Sequence, residues 1–194
     1  MEFPHLHLSI DQRVATLTIE RPEALNALNK AVIQSLHQAV EWLDTQSEVR
    51  VVILTGSGAK SFVAGADIAE FASFGPKEGE ALSETGHRLL FDRVAAAQKP
   101  YIAAINGYAL GGGLELAMAC HVRISSSSAR LGLPETSLGL IPGYGGTQRL
   151  VQLVGKGRAM EMMLSASMLD AETAERYGLV NQVVEGEHLL EAAQ

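Results

Sequence analysis

The distribution of apolar residues along the chain predicts strands that alternate with helices. Residues 15–19 alternate apolar side chains with threonine, which is the period of two of a half-buried strand. Residues 32–43 carry an apolar stripe at helical spacing, and Asn29 is placed to cap the first turn. The β-branched run at 51–54 is typical of a strand that is covered on both faces.

The remaining elements follow the same alternation. The pattern predicts helices at 80–96, 114–119, 145–153, 156–165 and 171–177, and strands at 101–105, 122–124 and 180–184. Such an order indicates βαβ crossovers and an α/β fold with a largely parallel sheet.

The last eight residues, 187–194, look like the first two turns of a helix that stops. A helix of this length has little stability by itself. We therefore expect the segment to be poorly ordered or packed on a neighbouring subunit. We interpret residues 1–194 as a single core domain of a longer protein, truncated at its C-terminus.

The composition limits the classes of function. A hydrophobic fraction of 47% supports a buried core, and a net charge of −7 without a basic stripe argues against nucleic acid and anionic membranes as partners. The single cysteine, Cys120, excludes an intrachain disulfide and a cysteine-based zinc site. With no secretory signal and no apolar run of membrane-spanning length, we expect a cytoplasmic protein without a membrane partner.

Several short motifs do not support the chemistry they suggest. The loop at 56–61 lacks the Gly-Lys-Ser/Thr of a phosphate loop, and 107–113 lacks the downstream acid of a dinucleotide site. His5 and His7 share one face of a possible strand, but nothing completes a metal site, so we expect surface residues. The serines at 125–128 read as a polar turn rather than as a nucleophile site.

The segment 105–120 carries the first candidate chemistry. Three glycines, 111–113, directly precede a helix, where exposed N–H groups at the positive end of the helix dipole suit a carbonyl oxygen or an oxyanion. Glu115 follows in apolar company. Periodicity alone leaves two readings of Glu115 open, a surface carboxylate that complements the dipole or a buried functional acid.

A second isolated carboxylate, Glu135, lies 20 residues further on in a segment bounded by glycine and proline. A tight Gly-rich loop at 141–147 comes soon after it. Two lone glutamates beside rigid backbone favour acid/base catalysis on one small molecule.

Four segments in order carry a family resemblance. They are Arg21-Pro22 with 26–29, residues 62–68, residues 99–115, and residues 133–150. With these segments the chain resembles the crotonase superfamily of enoyl-CoA hydratases and isomerases from Val14 to about Val184. The resemblance implies a spiral of repeated ββα units, with further C-terminal helices that are missing here and that build trimers and hexamers.

The resemblance also implies an acyl-CoA thioester as substrate and partner, with no metal or redox cofactor, because coenzyme A is part of the substrate. The N–H groups of Ala66 and Gly112 are then expected to hold the thioester oxygen. Glu115 and Glu135 match the two carboxylates of the hydratases, and Gly143 matches a backbone group close to the reacting water.

By the same resemblance, Ala64, Asp67 and Ile68 line the coenzyme A groove, and the backbone near Ala24 and Leu25 surrounds the adenine end. The chain departs from the family pattern at two positions. Ala69 stands where a lysine is common, which removes one cationic contact to coenzyme A. His121 replaces an aspartate, and we expect its role to be local.

Both glutamates together favour an enoyl-CoA hydratase that adds water to a 2-enoyl-CoA. An enoyl-CoA isomerase, which needs one of the two, is the first alternative. A non-catalytic acyl-CoA-binding fragment is the alternative from a different class.

Overall fold

The computed structural model describes residues 2–70 and 72–194, and its strands form two sheets. The strands are β1 (Leu6–Asp11), β2 (Val14–Ile19), β3 (Val51–Gly56), β4 (Ser61–Val63), β5 (Tyr101–Ile105), β6 (Tyr108–Leu110), β7 (Val122–Ser126), β8 (Arg130–Gly132), β9 (Met168–Asp170) and β10 (Gln182–Val184). The α-helices are α1 (Lys30–Thr45), α2 (Pro76–Gly86), α3 (Asp92–Ala95), α4 (Gly112–Ala119), α5 (Gly146–Val154), α6 (Lys156–Ser165), α7 (Ala171–Arg176) and α8 (Leu189–Ala193).

The larger sheet has six strands in the order β1-β2-β3-β5-β7-β10. β1 and β2 are antiparallel, and the other neighbours pair in parallel. In the smaller sheet, of order β4-β6-β8-β9, the first two pairings are parallel and the last is antiparallel. The predicted α/β class and largely parallel sheet are therefore confirmed.

The two sheets are connected by a repeated pattern. Each of β3, β5 and β7 in the larger sheet is followed closely by β4, β6 or β8 of the smaller one, and helical structure comes after each pair. This is the series of ββα units that the resemblance implied. The four strands of the smaller sheet have only three residues each, which is too short to show a period of two in the sequence.

Helix α1 confirms the predicted amphipathic stripe and cap. The Asn29 side chain accepts a hydrogen bond from the Val32 N–H at 2.8 Å. Val32, Leu36 and Leu43 are almost completely buried in the main core. The cap satisfies one of the N–H groups that a helix leaves without an internal partner. The capping residue and the first buried residue of the stripe therefore both place the start of the helix after Asn29.

The C-terminal segment is helical, as its pattern predicts, but the expectation that it is poorly ordered or packed on a neighbouring subunit was wrong. Residues 189–193 form α8, which packs on the chain's own larger sheet rather than being disordered or seated on a neighbour. Leu189 and Ala193, four residues apart, are 3% and 2% exposed and join a second apolar cluster with Ile53, Ala104 and Ile124. The sheet stabilises a helix that has too few residues to form alone.

Other differences concern element boundaries. The helix predicted at 80–96 begins at Pro76, where the Gly75 N–H donates to the Glu78 carboxylate at 2.7 Å, and it continues through a π-helical turn, His87–Phe91, into α3. The last strand begins at Gln182 rather than at residue 180, because the chain is still turning after α7. Only residues 127–128 of the polar turn predicted at 125–128 form a turn, because Ser125 and Ser126 are the last two residues of β7.

The two N-terminal histidines are exposed, as expected, but they do not share a strand face. His5 lies in a turn with φ 63°, and His7 lies in β1. Cys120 is buried and free, in agreement with its expected place in the core. None of the helices within the described ranges combines the length and the apolar character that a membrane crossing requires.

Candidate active site

The N-terminus of α4 is built by the three glycines predicted to open it. Gly111 has φ +50° and ψ −124°, a conformation that L side chains rarely adopt, and it makes a sharp turn between β6 and α4. The Gly112 N–H is at the first position of the helix, where no internal acceptor exists. Among the described residues it donates to no other backbone group.

Ala66, which follows β4, lies next to this turn. Leu28 donates to the Gly65 carbonyl and accepts from the Asp67 N–H, which makes an isolated parallel bridge at Ala66. Because successive N–H groups of an extended segment point to opposite sides, the Ala66 N–H points away from Leu28. A Cβ placed on Gly112 would lie 3.7 Å from the Ala66 nitrogen, so the two N–H groups are neighbours.

Glu115 is a buried carboxylate, which decides between the two readings of its sequence. It lies in the first turn of α4 and is only 1% exposed. Its Oε1 accepts from the Tyr144 N–H at 2.8 Å and from the Gly146 N–H at 2.7 Å. Its pKa is raised to about 7, mainly by burial and also by the nearby charge of Glu135, against the opposing effect of the backbone donors.

Glu135 lies in a 3-10 helix, Pro134–Leu138, and reaches the same turn. A Cβ on Gly111 would lie 2.8 Å from Glu135 Oε1, so this carboxylate lies directly against the turn. Within residues 2–70 and 72–194, the buried Oε2 of Glu135 has no hydrogen-bond partner. Burial raises the pKa of this carboxyl as well. The two predicted glutamates thus converge, although they come from different repeats.

The convergence point opens into a cavity of about 770 Å³ with mostly apolar walls. Both glutamates line it, together with five further residues predicted for the site: Ala64, Ala66, Ile68, Gly112 and Gly143. Ile68 is 51% exposed at the rim. The Gly143 carbonyl accepts a hydrogen bond from the Ser83 hydroxyl at 2.5 Å, which joins α2 to the loop before α5.

Three predicted residues lie outside the lining of this cavity. The Asp67 carboxylate accepts from Arg21 Nη2 at 3.0 Å, an ion pair that joins the first two segments of the resemblance. Leu25 has φ 51°, and its carbonyl accepts from the Ala64 N–H at 3.1 Å. Ala24 ends the 3-10 helix before it. Their backbone is therefore adjacent to Ala64 at the edge of the cavity.

Tyr144 is the main residue of the site that sequence analysis did not single out. Its ring stacks on Phe91 with centroids 4.4 Å apart, and a Cβ on Gly112 would lie 3.4 Å from its Cδ2. An aromatic residue in a Gly-rich loop was the available signal. The apolar wall supplied by α2 and the loop before it, including Phe74 and Leu82, was also missed.

No group of three or more His, Cys, Asp or Glu in the described part of the chain could hold a metal ion. His121 acts locally, because its Nδ1 accepts from the Tyr101 N–H at 3.0 Å. What the arrangement offers is a pair of carboxylates and a pair of backbone donors at one end of an apolar cavity.

Comparisons with known proteins agree with this geometry. The chain is 47% identical to a short-chain-enoyl-CoA hydratase of Clostridium acetobutylicum over 194 residues, which are 100% of this chain and 74% of the relative. It is 46% identical to a crotonyl-CoA hydratase of Syntrophomonas wolfei over 190 residues, 98% of this chain and 73% of the relative. The crystal structure of an enoyl-CoA hydratase from Bacillus anthracis superimposes with a TM-score of 0.93 at 40% identity, covering 97% of this chain and 73% of that one.

The sequence profile of the family described as enoyl-CoA hydratase/isomerase matches residues 9–194. The match covers all four segments on which the resemblance was based and leaves out only the first eight residues of the chain. The predicted family is confirmed: this chain belongs to the enoyl-CoA hydratase/isomerase family.

Proposed function

We propose that this chain is an enoyl-CoA hydratase, which reversibly adds water in syn fashion across the C2–C3 double bond of a 2-enoyl-CoA to give a 3-hydroxyacyl-CoA. The observation that carries the proposal is the convergence of two buried carboxylates, Glu115 and Glu135, on one cavity. The relatives named as short-chain-enoyl-CoA and crotonyl-CoA hydratases support the same reaction.

The neighbouring N–H groups of Ala66 and Gly112 would form the oxyanion hole. When the oxygen of the deprotonating water attacks C3, electron density moves through C2 to the thioester oxygen. Two fixed donors at that oxygen stabilise this charge more than they stabilise the neutral substrate, and such donors are worth roughly 3 kcal/mol each. The positive end of α4, where Gly112 lies, adds to the effect.

The hydrogen bonds of the two glutamates suggest a division of labour. Glu115 accepts two backbone N–H bonds, which stabilise its carboxylate form, so we assign it to remove the proton from water. Glu135 has a buried oxygen without a partner, which favours its neutral form, so we assign it to deliver a proton to C2. The hydroxyl bonds to C3, and the two carboxyls exchange protonation states over one turnover.

The substrate would enter along the residues predicted for coenzyme A. We propose that Ala64 and Ile68 contact the pantetheine, that Gly143 lies near the reacting water, and that the backbone of Ala24 and Leu25, with Asp67 beside them, surrounds the adenine end. All of these residues lie on or next to the wall of one cavity. The reaction needs no metal and no redox cofactor, because water and the thioester supply every atom.

We also propose that the chain works in the cytoplasm as a trimer or a hexamer. Large apolar side chains are exposed on the segments around α6, among them Leu138, Leu164 and Met168 at 57%, 69% and 52%. Exposed apolar area of this kind is typical of subunit interfaces.

The test is turnover of crotonyl-CoA, followed by the loss of its enoyl absorbance. Hydration supports the proposal. Conversion of 3-enoyl-CoA to 2-enoyl-CoA without hydration would favour the isomerase instead. Tight acyl-CoA binding by calorimetry with neither activity would favour a non-catalytic binding fragment.

A further inference from the structure

The loop before α5 holds Glu115 with its backbone, so anything that fixes this loop also fixes the carboxylate. Of the two donors to Glu115 Oε1, the Tyr144 N–H belongs to this loop and the Gly146 N–H belongs to the first residue of α5. Gly145, between them, has φ +91°, which lets the two N–H groups point at one oxygen.

Arg149 contacts this loop from the first turns of α5. Its Nη1 donates to the Tyr144 carbonyl at 2.9 Å, and its Nη2 donates to Asp92 Oδ1 at 3.0 Å. His87 Nε2 lies 2.8 Å from the same Asp92 oxygen. The guanidinium is mostly buried, with 17% of the side chain exposed, whereas the Asp92 side chain is 53% exposed. The bond to the Tyr144 carbonyl is therefore better shielded from water than the bond to Asp92.

Arg149 and His87 also pack directly against Gly145. A Cβ added to Gly145 would overlap with Arg149 Nη1 and with His87 Cε1. His87 begins the π-helical turn and Asp92 follows it directly, so this irregular turn presents both side chains to the loop. Such turns inside helices are frequent at functional sites.

The charge of Arg149 acts on Glu115 in addition to its hydrogen bonds. The titratable groups that face Glu115 are Glu135 from the 3-10 helix, Tyr144 from the loop and Arg149 from α5. Burial and Glu135 raise the pKa of Glu115, whereas Arg149 lowers it. The N–H groups of Gly146 and Tyr144 also lower this pKa, so Arg149 adds its charge to the effect of the two donors.

We propose that Arg149, anchored by Asp92, is the positioning residue of Glu115: it holds the loop whose backbone N–H groups donate to the Glu115 carboxylate. Arg149 does so without touching the substrate, because it contacts the back of the loop and is not among the residues that line the cavity. The inference rests on the proposed hydratase function only for the role of Glu115 as base.

The experiment compares Arg149→Met with Arg149→Lys. The methionine removes the charge and both hydrogen bonds, whereas the lysine keeps the charge. Arg88→Met is the matched control, because Arg88 is 75% exposed and pairs with Glu84 on the surface at 3.6 Å. Two quantities are measured in each variant: kcat and KM for crotonyl-CoA from pH 6 to pH 9, and the pKa of Glu115 from carbon-13 NMR of labelled glutamate.

In Arg149→Met we expect a loss of about 10²-fold in kcat near pH 7, with KM little changed, because a misplaced catalytic group costs rate of this order. The loss should shrink as the pH rises, because the pKa of Glu115 moves up without the cation. In Arg149→Lys the pKa of Glu115 should stay near the wild-type value while kcat falls. Arg88→Met should match the wild type.

An equal loss at every pH in Arg149→Met, together with an unchanged pKa of Glu115, would overturn the inference. So would an Arg149→Lys variant whose pKa and pH profile match those of Arg149→Met. If Arg149→Met does not fold, Arg149→Lys and Asp92→Asn decide, since the latter must lower kcat at unchanged KM. The NMR measurement needs no turnover, so a wild-type protein that fails to hydrate crotonyl-CoA overturns the proposed function and leaves this test standing.

Discussion

Replacing Gly112 by proline would remove one backbone N–H from the proposed oxyanion hole and little else. Gly112 is the first residue of α4, which is the helical position that proline favours, because the N–H there has no internal acceptor. An added Cβ finds room, since it would lie 3.4 Å from Tyr144 Cδ2 and 3.7 Å from the Ala66 nitrogen. The fold should therefore survive the change.

The expected cost is that of a single oxyanion donor, about 10²–10³ in kcat or roughly 2.7–4 kcal/mol. Gly112→Ala is the matched control, because it adds the same Cβ and keeps the N–H. The alanine variant should retain most of the wild-type activity. The difference between the two variants then isolates the donor from the effect of the added atoms.

The assay is the hydration of crotonyl-CoA at saturating substrate, with thermal unfolding of both variants to verify the fold. KM should change less than kcat, because the donor acts mainly on charge that develops in the transition state. A Gly112→Pro variant that is folded and keeps near-wild-type kcat would refute the assignment of this N–H. Equal losses in the proline and alanine variants would attribute the effect to crowding instead.

Three further predictions test the remaining parts of the site and the fold. Glu115→Gln and Glu135→Gln should each reduce the rate of hydration by several orders of magnitude, with acyl-CoA affinity little changed. The double variant should be little less active than the worse single variant, because the two carboxyls act as a unit. Near-full activity in either single variant would contradict the two-carboxylate mechanism. The pKa of Glu115 is about 7 in the folded protein and 4.5 for an ordinary glutamate, so the folded state binds this proton more tightly than the unfolded state. The free energy of unfolding should therefore fall as the pH rises from 4.5 to about 7. Glu115→Gln should weaken that fall in denaturant titrations. Leu189→Ala should lower the free energy of unfolding by about 2–5 kcal/mol, whereas Leu190→Ala, at a position that is 45% exposed, should have little effect; equal effects would mean that α8 does not pack on the sheet as described.

The sequence was most informative where local and tertiary signals coincide. Helix α1 has a capping side chain, Asn29, and a buried stripe, so both its type and its start were predictable. The smaller sheet was not predictable from periodicity, because three residues cannot establish a period of two. The packing of α8 depends on an apolar patch around Ile53 and Ile124 that exists only after the larger sheet has formed.

The same contrast applies to the site. Glu115 and Glu135 could be identified because isolated carboxylates beside glycines are conspicuous in a sequence. Arg149 could not, because an arginine in an amphipathic helix is usually a solvated residue. Its importance depends on Asp92, which lies 57 residues away and meets it only in the folded chain.

The smaller sheet has a consequence for how the two N–H groups keep their separation. Ala66 follows β4 and Gly112 follows β6, and these strands pair in parallel at Ser61 with Tyr108 and at Val63 with Ala109. Main-chain pairing, together with the bridge from Leu28, therefore brings the two proposed donors together. The cavity walls from α2 and the 3-10 helix are built by side chains instead, so we expect substitutions there to change the shape of the cavity without moving the two proposed donors.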